Sequence, residues 1–433
     1  MTNWTNSVRY RAVTWLVLAA GLAYLCRNTI GVAESSIRDE LDLSLEQSGW
    51  MLGAFFWTYA IFQIPSGSLA ARFGTRLTLA IFALTWCLSS IGMGLAPAFI
   101  VLVAAQLLMG VSQAGIFPAS CQSIGHWMPI SERSTACGTL AAGMQIGAIV
   151  ASALAAALLV LVGWRSLFIV LAIPGIFWAI LFYIRFRDHP NEVSSVTPGE
   201  LAMINAGRPD SESGDDRTGG EETNSGSDEA GWMALLGSPL IWLLCSQQIC
   251  RAAGYMFFAS WFPTFLQKTR DVSVAGSGYI QSLVLSGTLV GCLCGGVVTD
   301  WIWRRSGDLR KSRCHVGAVA LGACAFLIFS AWFVHDVTSA IILLTLGSFF
   351  AALAGPCAFA ATIDIGGSRT PQVFGLMNMC GNFAAAACPI LVGKLFATLS
   401  NWNVVLGLFA AVYVIGSASW LVAAKIPTPS QTD

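Results

Sequence analysis

Two arginines stand inside apolar runs. Arg27 follows Tyr24, Leu25 and Cys26 in a run that continues to about Val32, and Arg251 follows Gln247, Gln248, Ile249 and Cys250 in another. A guanidinium stays charged at any accessible pH, and its free-energy cost at bilayer depth runs from a few to more than ten kcal/mol. Its planar fork matches the two oxygens of a carboxylate or phosphate, so the chemistry these residues suggest is anion binding. Neutral polar side chains recur around them at helical spacing. Tyr24 precedes Arg27 by one turn, and Gln247, Gln248 and Tyr255 share a face with Arg251. Tyr59 and Gln63 are a turn apart, as are Asn378 and Asn382, and Gln106 and Gln113 are two turns apart. Amides and phenols can donate to carboxylate, hydroxyl or phosphate oxygens without adding charge, or can join helices to one another.

Acids are placed differently. Outside one stretch they fall at the ends of apolar runs or between them (Glu34, Asp39, Glu40, Asp42, Glu46, Glu132, Asp271, Asp300, Asp308, Asp336, Asp364 and Asp433), and so do His126, His189, His315 and His335. Neither arginine therefore has an acidic partner at its own depth. An unpaired buried cation is unfavourable, so a mobile anion is expected to supply the missing charge. For Arg27 the alternative is snorkelling to an interface; for Arg251 it is pairing to carbonyls or amides.

The elements that must hold these residues are membrane helices. Hydrophobic residues make up 55% of the 433 and charged residues 11%, a balance that a soluble surface would not tolerate. Apolar segments of about 20 residues recur near 12–33, 47–70, 77–97, 99–124, 135–161, 166–185, 238–265, 275–299, 315–334, 338–362, 372–396 and 403–424. The first resembles a signal peptide after Arg9 and Arg11, but it is long enough to span and is expected to be retained. The expectation is an all-α membrane protein of twelve transmembrane helices in two pseudo-symmetric six-helix bundles.

Residues 187–236 break the pattern. Rich in Ser and Gly, they carry eleven of the chain's 23 acids, and such a stretch cannot bury itself. The domains predicted are 1–186, a solvated acidic linker 187–236, and 237–433. Within the linker, Thr197 with Glu200 predicts the cap of one short helix. Most cations, among them Arg9, Arg11, Arg72, Arg76, Arg133, Arg304, Arg305, Arg310 and Arg313, fall at one set of connections; Arg38, Arg165, Lys268, Arg270 and Lys394 fall at the other. The positive-inside bias then puts both termini in the cytoplasm of a cell-membrane protein.

The thirteen cysteines lie mostly in apolar runs, where a thiol packs as a small hydrophobe. A formal net charge of zero, with no basic tract, gives no reason to expect nucleic acid as a partner. No metal, cofactor or catalytic set is expected, and the partners expected are a small anionic substrate and the lipid bilayer, for a monomer.

Weak internal echoes suggest duplication. Leu25, Cys26, Arg27 recurs as Ile249, Cys250, Arg251, and Gly67, Ala71, Arg72, Gly74, Arg76 is echoed by Gly296, Asp300, Arg304, Arg305. The first of these loops resembles the signature between helices two and three of the major facilitator superfamily, with Ala71 in place of its acid. Gly53, Phe56, Tyr59, Gln63, Pro65 and Gly67 are similar to helix two of the anion:cation symporter branch, which carries sugar acids and other organic anions. So are Gly115, Phe117, Pro118, Trp127, Glu132 and Arg133 around helix four, Trp261, Pro263 and Thr264 ending helix seven, and Gly375, Asn378, Gly381, Pro389 and Gly393 in helix eleven.

The resemblance implies alternating-access transport of a sugar acid or another carboxylate. Where that branch has an aspartate before the helix-one arginine this chain has Cys26, and where helix four carries an arginine and a proton-handling glutamate it has Gln106 and Gln113. Paired arginines in helices one and seven, with glutamine in helix four, look instead like the organophosphate:phosphate antiporters, although Tyr255 stands where their second arginine would. Proton symport by a protein carboxylate lacks a carrier here, which leaves exchange, facilitated diffusion or sodium coupling open. A rival of another class is an anion-binding membrane sensor. The substrate-binding set expected is Arg27, Arg251, Tyr24, Tyr59, Gln63, Gln113, Gln247, Gln248, Tyr255, Asn378 and Asn382, and the gating loops are expected at Gly67, Arg72, Gly74, Arg76, Gly296 and Asp300.

Overall fold

A computed structural model of the chain describes residues 7–206, 236–256, 258, 262, 266, 274–334, 336–398 and 404–426. Helices make up nearly all of it. In chain order they are α1 (Val8–Glu40), α2 (Leu45–Ile61), α3 (Gln63–Gly94), α4 (Phe99–Ala114), α5 (Ile116–Trp127), α6 (Arg133–Arg185), α7 (Pro198–Asn205), α8 (Pro239–Met256), α9 (Val274–Ser306), α10 (Val316–Phe333), α11 (Val337–Gly366), α12 (Thr370–Thr398) and α13 (Val404–Ala423).

Two glycines divide the longest of these. Gly74 (φ 79°) and Gly163 (φ 72°) take the left-handed backbone that a Cβ disfavours, and at each of them two helices meet at a kink, within α3 and within α6. The second span consists of α2 with the first part of α3, and α4 with α5 makes the fourth. Counted this way, and leaving out the short α7, the described residues hold twelve helices, as the apolar runs predict. Among the described residues nine stretches are long and apolar enough to cross a bilayer, and the longest of them, Val337–Cys388, runs through α11 into α12.

Local chemistry sets the helix ends. Ser44 and Gln47 form a reciprocal capping box at the start of α2, and Asp336 accepts the Ser339 N–H at 2.8 Å at the start of α11. The predicted cap in the linker is also present: Glu200 N–H donates to Thr197 Oγ1 at 3.2 Å, and α7 follows. The Glu200 carboxylate in turn accepts the Arg9 N–H at 3.1 Å, tying α7 to the N-terminus of α1, where an acid suits the helix dipole. The rest of the acidic linker, 207–235, lies outside the described residues, as do Trp261, Pro263 and Thr264.

The chain forms two compact units. The first comprises Met1–Met128, Thr139–Ile204 and Ser368–Gly375; the second comprises Pro129–Gly138, Asn205–Gly367 and Leu376–Asp433. In the first, Trp178 stacks on Phe182 at 4.5 Å and Phe182 on Phe186 at 4.4 Å, with Trp15 edge-on to both Trp178 and Phe182. In the second, α9 and α11 lie close because Gly291 and Gly295 face the Phe349 and Leu353 carbonyls, where a side chain would collide. Tyr413 and Trp420 of α13 are fully buried there, against Gly254 and Gly317.

Candidate functional site

In the first unit Arg27 sits on α1 within a wall of aromatic rings. Its guanidinium carbon lies 4.3 Å from the centroid of Tyr24, 4.7 Å from Phe55, 5.3 Å from Tyr59 and 5.6 Å from Phe56. Helical spacing makes this arrangement: Tyr24 is one turn below Arg27, and Phe55 and Tyr59 are one turn apart on α2, their rings stacked at 5.1 Å. Ring faces attract a cation, by about 0.5–2 kcal/mol each, yet they offer its N–H groups no strong acceptor. Arg27 Nη1 is buried without a hydrogen-bond partner.

Beside this guanidinium lies a narrow crevice, about 180 Å³ of space counted with its open mouth but with no room inside for a water molecule. Tyr24, Arg27, Tyr59 and Gln113 line it, with Ala20 and Ala23 on the α1 side and Ile116 and Phe117 across from them. Gln113, at the end of α4, donates through Nε2 to the Ala23 carbonyl at 3.0 Å, and its Oε1 is buried and unpaired. Cys26 is directed elsewhere, with its thiol 3.6 Å from the Leu171 carbonyl. Gln63 is fully buried with neither amide atom hydrogen-bonded, but it is not part of the cleft lining.

In the second unit Arg251 on α8 meets Gln248, whose Oε1 accepts from Nε at 3.1 Å and from Nη2 at 2.9 Å. The Phe359 ring is 5.7 Å away, and Gly355 leaves room beside Nη1. Gln247, fully buried, donates to the Leu244 carbonyl at 2.9 Å and approaches Met377 Sδ at 3.7 Å. Tyr255 is half-buried one turn beyond Arg251. Asn378 and Asn382 lie half-buried on α12, and Asn382 Nδ2 is buried without a partner. Among the described residues no carboxylate pairs with Arg27 or Arg251.

The two loops that echo one another are built differently. Near the end of the second span, Gly67 lets the Pro371 carbonyl approach, since a Cβ would stand 2.5 Å from it. Past the Gly74 break, Asp188 accepts the Arg76 N–H at 2.8 Å, and Arg76 Nε donates to the Tyr183 carbonyl at 2.7 Å. Burial holds the Asp188 carboxyl above its ordinary range, against the Arg76 N–H and nearby His189. Arg72 is exposed and lies over Phe73 at 5.4 Å.

In the second unit Asp300 accepts the Ser134 and Thr135 N–H groups at 3.1 and 2.6 Å, at the N-terminus of α6, where the helix dipole favours an anion. Gly296, one turn earlier, faces the Ser134 carbonyl, with a Cβ position 2.5 Å away. Around Asp300 lies a quartet of charges that sequence reasoning did not assemble. Arg313 is 3.4 Å from Asp300 and donates to Asp364 at 2.9 Å, to Ser134 Oγ at 2.7 Å and to the Ile130 carbonyl at 3.1 Å. Arg133 reaches the other Asp364 oxygen at 2.7 Å. Two cations and two anions cancel, and all four side chains are at most 7% exposed. The available signal was the pairing of Asp300 with Gly296; the partners lie too far apart in the chain for spacing to join them.

Comparison with known proteins agrees with this architecture. The family model described as Major Facilitator Superfamily matches residues 16–332. The chain is 28% identical over 412 residues to a probable sulfoacetate transporter of Cupriavidus necator, covering 95% of this chain and 93% of that protein. It is 28% identical over 432 residues to a probable galactarate/D-glucarate transporter of Bacillus subtilis, covering 96% and 92%. Among solved structures, the fucose:proton symporter of E. coli superposes with a TM-score of 0.75 at 13% identity, covering 96% of this chain and all of that one. With the family model spanning well over half of its length, this chain belongs to the Major Facilitator Superfamily.

Proposed function

We propose that the protein is a secondary transporter that moves a small organic anion, a sugar acid or another carboxylate, across the cell membrane by alternating access. Arg27 and Arg251 are the residues that bind the anion. The observation that carries this reading is Arg27 Nη1, a buried cationic donor with no acceptor, at the edge of a cleft lined by phenols and an amide. A carboxylate would satisfy it through a charge-assisted hydrogen bond. The relatives, a probable sulfoacetate and a probable galactarate/D-glucarate transporter, support an anionic cargo.

Residues 1–186 and 237–433 act as the two halves, joined by the linker 187–236, in a monomer whose termini are cytoplasmic by the bias of its loop charges. Counterflow into proteoliposomes tests the function. Labelled sugar acids should exchange into vesicles preloaded with the same acid, and inorganic phosphate should not accelerate them. Trans-acceleration by phosphate would transfer the reading to phosphate esters, and binding without counterflow would make the protein a sensor.

A further inference from the structure

The Gln113 carboxamide is held in one orientation. Its Nε2 donates to the Ala23 carbonyl at 3.0 Å. Only the NH₂ end of an amide can serve a carbonyl oxygen, so Oε1 must be the opposite end. That oxygen is buried without a partner, on a side chain 1% exposed. On the same cleft Arg27 Nη1 is a buried donor without a partner. Unsatisfied buried polar atoms are uncommon in folded proteins, and here two of opposite kind, one on α1 and one on α4, belong to residues that line one narrow crevice.

A ligand that meets both must bring an anionic oxygen for the guanidinium and an O–H or N–H for the amide oxygen. A second ionised group placed against Gln113 would set negative oxygen against a carbonyl oxygen, with no proton between them. Tyr24 and Tyr59 can donate or accept and so discriminate neither way, and the remaining lining of alanine, isoleucine and phenylalanine carries no side-chain polarity.

We propose that Gln113 is a specificity-determining residue whose Oε1 accepts a hydroxyl or amino hydrogen of the cargo. The site then selects hydroxy or amino acids over anions whose polar groups are all acceptors, such as ionised dicarboxylates or sulfonate-carboxylates without a hydroxyl or amino group. This rests on Arg27 being the anion's anchor. A site built to accept a hydroxyl rejects the analogue lacking it strongly, because its own polar atom is left unpaired; a ten- to hundredfold difference, roughly, is expected here.

The test is competition binding to the purified full-length chain with D-gluconate, its single-deoxy analogues and adipate, a six-carbon dicarboxylate without hydroxyls. In wild type, removal of one particular hydroxyl should weaken binding at least about tenfold, and adipate, which has no O–H to give Gln113, should bind less tightly than D-gluconate. In Gln113→Leu, D-gluconate should weaken while that deoxy analogue does not, so the ratio falls toward one. Should Gln113→Leu fail to fold, Gln113→Met makes the same comparison, and the wild-type series stands without either. Binding that is indifferent to every hydroxyl, or a ratio unchanged in the variant, overturns the role of Gln113 and leaves the anion site standing. If none of these acids binds wild type, the reading of Arg27 fails, and the role of Gln113 with it.

Discussion

Arg133 and Asp364 are joined by a 2.7 Å hydrogen bond between Nη1 and Oδ1, although 231 residues separate them in the chain. The second Asp364 oxygen accepts Arg313 Nε at 2.9 Å, so one buried carboxylate holds two guanidinium groups. Replacing it with a neutral amide would leave both cations under-compensated in a dry setting. Asp364→Asn should therefore destabilise the protein by about 3–5 kcal/mol, read as a lower melting temperature in detergent. A melting curve that coincides with wild type would mean the quartet contributes nothing to stability.

The paired glycines make a sharper comparison. A Cβ on Gly296 would stand 2.5 Å from the Ser134 carbonyl oxygen and 2.8 Å from Thr135 Cα, both backbone atoms that can yield only by moving helices. Gly296→Ala should cost about 1–3 kcal/mol. Gly53, in the interior of α2, has nothing within 4 Å of its Cβ position. Gly53→Ala should raise stability by up to about 1 kcal/mol through lost chain entropy in the unfolded state. Denaturation midpoints of the two variants should shift in opposite directions, and shifts of one sign would refute the packing described for α9.

Asp188 gives stability a pH dependence with a definite sign. Burial raises its folded-state pKa above the ordinary 3.8, so between that value and the raised one the folded chain binds more protons than the unfolded chain. Stability attributable to this group is then greatest below the ordinary value and falls as pH rises through the raised one. Asp188→Asn keeps an acceptor for the Arg76 N–H and should abolish that fall. Melting temperatures recorded from about pH 4 upward check it, and an identical slope in the two proteins would speak against a buried, reluctant carboxylate.

Much of this architecture was legible in the chain because hydrophobic length has one dominant cause in a membrane. The spans near 12–33, 99–124 and 403–424 correspond to α1, to α4 with α5, and to α13. Gly74 and Gly163, where α3 and α6 are broken by a kink, lie between predicted spans. The first helix extends beyond its apolar run to Glu40 because polar residues continue a helix once it has left the hydrocarbon. What periodicity could not supply was the partnering of side chains across sequence. Arg27 was legible as a cation without a local acid, but its ring cage depends on how α2 packs against α1. Gln113 was legible as polar, while the orientation of its amide depends on the Ala23 carbonyl. The quartet around Asp300 was hidden for the same reason, since its members come from four separate segments.

The most direct measurement for the central claim is the affinity of the purified chain for D-gluconate as Arg27 becomes Lys and then Ala. If the guanidinium anchors the anion, Arg27→Ala should lose about 2–5 kcal/mol of binding, some thirtyfold or more. Arg27→Lys should recover only part of it, because an ammonium cannot reproduce the two-pronged contact. Undiminished affinity in both variants would contradict the account.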